Sequence, residues 1–351
     1  MTGLLAVLVG LMPAQPPADP MPPKLELVGE VTKIWDAGKH NAFTDLIRFK
    51  DRWYCTFREG DAHVGGDGKL RVLASAEGAK WESVALLTEK GIDLRDPKLS
   101  VTADGRLMMT AGGSVYEGKN LLGRRPRVAF SKDGTEWTVT KKVLAEGDWL
   151  WRVTWHDGTC YGVSYNAAER VSKEAKEAAT TGKADPGPAE WKLKLWASKN
   201  GETFDLVTHL DVPGHPNETT VRFTEKGEMV ATVRREGGNQ KGWVGTSQAP
   251  YKQWAWKELP ARLGGPNFLF VPNGPTIAAT RLYDGKVRTS LCRLDPAAGK
   301  LDELLKLPSG GDTSYAGMVW HDGVLWVSYY SSHEGKSAIY LAKVKVSGTG
   351  R

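Results

Sequence analysis

The chain has 351 residues, 47 Lys and Arg against 41 Asp and Glu, and a net charge of +6. The length allows two or three domains, while a mild basic excess with no Lys/Arg-rich run and no known module excludes nucleic acid as a partner. The three cysteines, Cys55, Cys160 and Cys292, form no Cys-x-x-Cys pair; their odd number leaves at least one free thiol in an exported protein, and all three read as small buried hydrophobes.

Taken in chain order, residues 3–12 are apolar but too short to span a bilayer, and a Pro-rich stretch follows to Pro23. We read 1–23 as a secretory h-region and leader, and the protein as exported, with no membrane span. Residues 24–351 read as one domain, because a repeat runs through them without a linker. Tight turns leading into short apolar strands recur at Lys50-Asp51, Asp104-Gly105, Asp157-Gly158, Lys226-Gly227, Asn273-Gly274 and Asp322-Gly323. A second phrase, S-x-D-G-x-x-W, stands at Ser131–Trp137, with an Asn and Phe version at Ser198–Phe204 and a degraded copy at Ser75–Trp81. There Asp or Asn should cap its own backbone, Gly take positive φ, and the aromatic ring pack under the hairpin. Units of about four strands repeated around an axis describe a β-propeller. The fold class is therefore all-β, with six four-stranded blades at about 40–88, 93–145, 149–211, 217–260, 264–308 and 313–346. The last blade has only three strands of its own, so the run Leu25–Val31 should supply the fourth and close the ring. An Ala-, Glu- and Lys-rich insertion at 166–190 should carry a short helix, Glu169–Ala179.

Propeller geometry places these turns on one face. On the other, strand-one starts meet strand-two ends. The strand-one starts supply His40, Asn41, Asp45, Arg95, Asp96, Trp151, Arg152, Asn217, Glu218, Asn267, Ser314 and Tyr315. The strand-two ends supply Arg58, Glu59, Tyr165, Arg234, Arg235, Arg281, Tyr329 and Tyr330, and the first loop adds Asp61, His63 and Asp67. Arginines, carboxylates and tyrosines converging on one mouth suit an anionic ligand, since a guanidinium grips a carboxylate with two parallel hydrogen bonds. The alternative is that Arg and Asp/Glu pair off and plug the channel.

The S-x-D-G-x-x-W phrases look like the Asp boxes of the sialidase (neuraminidase) superfamily. The segment Asn217-Glu218-Thr219 through Val233-Arg234 resembles the sialidase segment in which a Glu opens one strand and an Arg closes the next. Ser314-Tyr315, followed by His321-Asp322-Gly323 and Tyr329-Tyr330, is similar to its final segment. The resemblance implies Tyr315 as nucleophile, Glu218 as its base and Asp67, with Asp61 second, as acid/base. It implies Arg234 and either Arg281 or Arg288 as holders of a substrate carboxylate. The Arg-Ile-Pro phrase of the family's first blade is absent: that place reads Asn41-Ala42-Phe43-Thr44-Asp45-Leu46, and Arg58, Arg95 or Arg152 would have to substitute.

On this reading the protein is a sialidase-like exo-glycoside hydrolase acting as a monomer on an acidic glycan. Tyr315, Glu218 and Asp67 are catalytic. Arg234, Arg281, Arg288, Arg95, Arg58, Asp45, His63, Arg152 and Tyr165 bind substrate. The alternatives are a glycan-binding propeller without chemistry, a protein-interaction propeller, and a glycosidase or lyase acting on another carboxylate-bearing sugar. Neither a metal-ligand cluster nor a phosphate loop nor a dinucleotide fingerprint is seen in the sequence, so no cofactor is expected.

Overall fold

In a computed structural model the described residues are 23–65, 68–118, 120–166 and 191–348. Asp67, the expected helix in 166–190 and nearly all of the leader lie outside them.

Two short strands come first, β1 (Lys24–Leu27) and β2 (Thr32–Trp35). Blade one is β3 (His40–Phe49), β4 (Arg52–Gly60), β5 (Lys69–Ser75) and β6 (Glu82–Leu87). Blade two is β7 (Asp93–Val101), β8 (Leu107–Glu117), β9 (Asn120–Ser131) and β10 (Lys141–Lys142). Blade three is β11 (Asp148–His156), β12 (Thr159–Asn166), β13 (Lys192–Ser198) and β14 (Asp205–Leu210). Blade four is β15 (Pro216–Phe223), β16 (Met229–Arg235), β17 (Lys241–Ser247) and β18 (Ala255–Arg262). Blade five is β19 (Asn267–Phe270), β20 (Thr276–Leu282), β21 (Arg288–Asp295) and β22 (Lys300–Lys306). Blade six is β23 (Thr313–His321), β24 (Val324–Ser331) and β25 (Ala338–Ser347), completed by β1 on its outer edge, with β2 also paired to β25. These are the six antiparallel blades of a β-propeller, and the described residues contain no helix. It follows that no helix among them is long and apolar enough to cross a membrane.

The ring closes where the sequence places it. Lys24 pairs with Ser347 and Leu27 with Val344. The innermost strands are buried on both faces because each is wedged between neighbouring blades, and β7 is buried through eight of its nine residues. Large rings fill the wedges: Trp53 of blade one stacks on Trp326 of blade six with centroids 4.2 Å apart. Cys55, Cys160 and Cys292 are free thiols inside this packing.

The repeated turns form as their chemistry requires. Ser131 Oγ accepts from Gly134 N (2.8 Å), Asp133 Oδ1 from Thr135 N (2.8 Å) and Glu136 N (2.9 Å), and Trp137 Nε1 donates to Gly134 O (3.2 Å). Asn200 Oδ1 takes the Asp role in the next copy. The sequence reading missed a related turn: Trp254 Nε1 donates to Tyr251 O in a loop one residue longer, closed by Ser247. All of these join third to fourth strands, on the face away from the strand-one starts.

One irregularity recurs at the other face. The first two strands slip register between Ala42 and Asp45, Arg95 and Lys98, Leu150 and Val153, Pro216 and Thr219, and Ser314 and Gly317. Each slip is a bulge that re-aims the side chains next to it. Phe43 (φ 64°), Asp96 (50°), Ser314 (93°) and Tyr315 (55°) adopt left-handed backbone there, a strained choice that clusters at functional sites.

Candidate active site

A cavity of about 200 Å³ opens on the bulged face. Phe43, Asp96, Glu218 and Tyr315 enter it from four innermost strands, with Arg95 and His63 beside them. Trp149 and Tyr165 come from blade three. Ser114, Tyr116, Leu121 and Arg124 come from the β8–β9 hairpin, whose 11- and 12-residue strands outrun most of their counterparts.

Tyr315 and Glu218 are hydrogen-bonded to each other on its wall. Tyr315 Oη donates to Glu218 Oε1 at 2.6 Å. Arg234 Nη1 donates to both Glu218 Oε1 and Tyr315 Oη, at 2.9 Å each, and Gly265 N holds the second Glu218 oxygen at 2.8 Å. Burial raises the Glu218 carboxyl, but Arg234 and the hydrogen bonds from Tyr315 and Gly265 outweigh it, so the group stays below its usual range and ionised. Burial and the Glu218 charge push the Tyr315 phenol well up, against Arg234 and Arg281. The resting pair is thus a neutral phenol on a carboxylate base. Phe43 and Trp151 press edge-on against the Tyr315 ring, with centroids at 5.0 and 5.6 Å.

Asp96 sits on the same wall. Its Oδ1 is buried without a hydrogen-bond partner, and burial raises its carboxyl despite Arg95 and Lys98. A carboxyl held above its usual range therefore faces the cavity. The sequence reading placed Asp96 on the right face but gave it no role. Asp61, the second choice for acid/base, is instead exposed beside Lys39 at 3.5 Å.

A second cluster lies next to Tyr315. Arg281 donates to Asp312 Oδ1 (3.0 Å) and Tyr330 Oη (2.9 Å), and its guanidinium lies 5.5 Å from the Tyr315 ring centroid. Tyr330 also donates to Asp312 Oδ1 at 2.6 Å. Asp312 Oδ2 meets His63 Nδ1 at 2.8 Å and His40 Nε2 at 3.4 Å. Burial alone would raise the Asp312 carboxyl, but its contacts with His40, His63 and Tyr330 hold it far below the usual range. The ligand atoms of His40, His63 and Asp312 lie within 4.8 Å of one another, a metal-capable grouping that the linear sequence did not reveal. Both Asp312 oxygens are already engaged by protein groups.

Of the residues expected at the site, Tyr315, Glu218, Arg95, His63 and Tyr165 line the cavity, and Arg234 and Arg281 lie against Tyr315. Four take other places. Arg58 is fully buried and donates to Asp93 at 2.7 Å. Arg152 pairs with both oxygens of Asp45 at 2.8 and 2.7 Å, and Asp45 also caps Leu99 N, so this pair fills the channel. Arg288 is clasped by Glu303 and Asp284 on the third strand of blade five, whereas Arg281 lies beside the Tyr315 ring. The bland alternative of channel-plugging ion pairs therefore describes Arg58, Asp45 and Arg152. Two cavity-lining residues to which the sequence reading gave no role are Asp96 and Arg124.

No family model and no curated protein matches the chain. Solved structures do. A protein of unknown function from Dyadobacter fermentans aligns at 18% identity over 92% of this chain and 100% of its own, TM-score 0.76. An α-L-arabinofuranosidase from Fusarium graminearum, in complex with an iminosugar inhibitor, aligns at 12% identity over 90% and 98%, TM-score 0.68. The Trypanosoma rangeli sialidase in complex with the inhibitor DANA aligns at 12% identity over 91% of this chain and 58% of its own, TM-score 0.65. The chain thus has the fold of the sialidase-like six-bladed propellers.

Proposed function

We propose that this protein is an exo-acting glycoside hydrolase that removes one terminal sugar through a covalent Tyr315 intermediate. The observation that carries the reading is the 2.6 Å hydrogen bond from the Tyr315 phenol to the Glu218 carboxylate on the cavity wall. The fold shared with an arabinofuranosidase and a sialidase supports it. So does the size of the cavity: about 200 Å³ is below the ~300–1,000 Å³ of drug-sized ligand sites and suits a single sugar ring.

In the first step the phenol proton passes to Glu218 Oε1 and the phenolic oxygen attacks the anomeric carbon. The glycosidic C–O bond breaks, and Asp96 gives its proton to the departing oxygen. In the second step Asp96, now a carboxylate, takes a proton from water. That water attacks the anomeric carbon, the C–O bond to Tyr315 breaks, and Glu218 returns the proton to the phenol. Two displacements retain the anomeric configuration, with tyrosine replacing the usual carboxylate nucleophile. Asp67, the acid/base that the family resemblance implies, lies outside the described residues.

The test is sugar release from aryl α-sialosides, β-glucuronides and α-L-arabinofuranosides, with NMR of the first-formed anomer. Retained configuration, and release abolished in Tyr315→Phe, are expected. Glycan binding without cleavage by the wild type would leave a carbohydrate-binding propeller.

A further inference from the structure

The carboxylate-holding arginines implied by the family resemblance are already neutralised. Arg234 contacts Glu218 and Glu236, and Arg281 contacts Asp312. Arg58 and Arg152 are paired as well. Arg124 is different. It is buried to 9% exposure and lines the cavity, yet pairs with no carboxylate among the described residues. Its guanidinium donates one hydrogen bond, from Nε to Gly147 O at 3.0 Å, and its Nη2 is buried with no acceptor. By contrast Arg222, also without a carboxylate, is bonded at all three guanidinium nitrogens to neutral oxygens.

Next to Arg124 stands a second unmatched donor, Trp149 Nε1, buried and without a partner. The guanidinium lies 5.5 Å from the Trp149 ring centroid and 5.1 Å from that of Tyr165, so the aromatic rings fix its plane. An uncompensated buried cation and an orphan N–H beside one cavity are costly unless something supplies acceptors and negative charge.

We propose that Arg124 and Trp149 form a subsite for an anionic substituent, carboxylate or sulfate, of the terminal sugar. This subsite is in blades two and three, across the ring from Arg281 in blade five. The inference rests on the glycosidase reading only for what occupies the cavity.

Calorimetric binding on the full chain tests it. The probes are glucuronic acid, N-acetylneuraminic acid and galactose 6-sulfate against galactose and arabinose. The wild type is expected to bind an anionic sugar at least ~10-fold more tightly than a neutral one. Arg124→Gln should lose ~10–100-fold on that sugar, the value of a hydrogen bond to a charged group, and leave neutral sugars unchanged. Arg124→Lys should keep part of the margin. Trp149→Phe keeps the ring and should lose less; it carries the test if Arg124→Gln melts early. The ranking of carboxylates against sulfate identifies the anion.

Binding does not need turnover, so the two readings fail separately. Anion preference lost in Arg124→Gln, with no sugar released by the wild type, keeps the subsite and rejects the hydrolase. Hydrolysis with that preference intact in Arg124→Gln rejects the subsite and keeps the hydrolase. Equal binding of neutral and anionic sugars, or no binding of either, overturns the subsite.

Discussion

Gly265 decides how closely Glu218 and Tyr315 can meet. Its N–H holds Glu218 Oε2 at 2.8 Å, its φ is +58°, and a Cβ there would stand 2.6 Å from the Tyr315 ring. Gly265→Ala should therefore cut sugar release by ~10²-fold or more while removing no reactive group, because a displacement of about 1 Å at the reacting pair costs that much; steady-state kinetics on an aryl glycoside checks it. Asp96 gives a pH prediction. In the proposed reaction it acts as the acid in its protonated form, and burial raises its carboxyl above the usual range near ~3.9. So kcat/KM should fall as pH climbs through that raised value, and Asp96→Asn should flatten this alkaline limb and slow poor leaving groups by ~10²–10⁴-fold. A pH series with alkyl and nitrophenyl glycosides separates the two effects. Tyr315 and Glu218 were legible in the sequence because both stand at strand starts in short recognisable phrases. Asp96 was visible only as a position, because its burial depends on cavity walls such as Glu218 and Tyr315 arriving from distant blades. The pairing of Arg152 with Asp45, 107 residues away, is a fact of ring closure that no spacing announces.

Among the elements, turns were the easiest to read, since their chemistry is local. The Asp133 turn makes the point. Two backbone N–H groups bond its carboxylate and hold it down to about 2. Its stabilisation is complete above the unfolded value near ~3.9 and is lost as pH falls from there through about 2. Asp133→Asn keeps the acceptor oxygen, as Asn200 does one blade on. The difference in melting temperature between wild type and this variant should therefore shrink as pH drops from about 4 to about 2. The β8–β9 hairpin was not legible. Nothing in its composition says that a third strand would reach the cavity, and this is why Arg124 went unread. Gly112 of β8 shows how closely that hairpin packs: a Cβ there would stand 2.1 Å from the Trp149 ring. Gly112→Ala should push that ring into the cavity and weaken sugar binding, measurable by the same calorimetry, with the circular dichroism unchanged.

For the whole molecule the decisive bond is between its two ends. Blade count, blade limits and the closing strand were all legible, since each follows from turn spacing and from the final blade lacking one strand. Leu25 of that strand is buried with the blade-six core, against residues such as Leu325, Val327 and Val344. Leu25→Ala should cost about 2–3 kcal/mol, the low end for a buried leucine, because β1 is an outer strand; urea unfolding measures it. The register that pairs Lys24 with Ser347 also means that neither end of the domain holds a special place on the circle. Linked by a short Gly/Ser tether, residues 24 and 347 would become an ordinary hairpin, and the chain could begin in a scaffold turn such as Ala297-Ala298. Such a circular permutant should refold to the same ring with its cavity intact. Where the polypeptide starts would then be a matter of synthesis, while the architecture is a property of the circle.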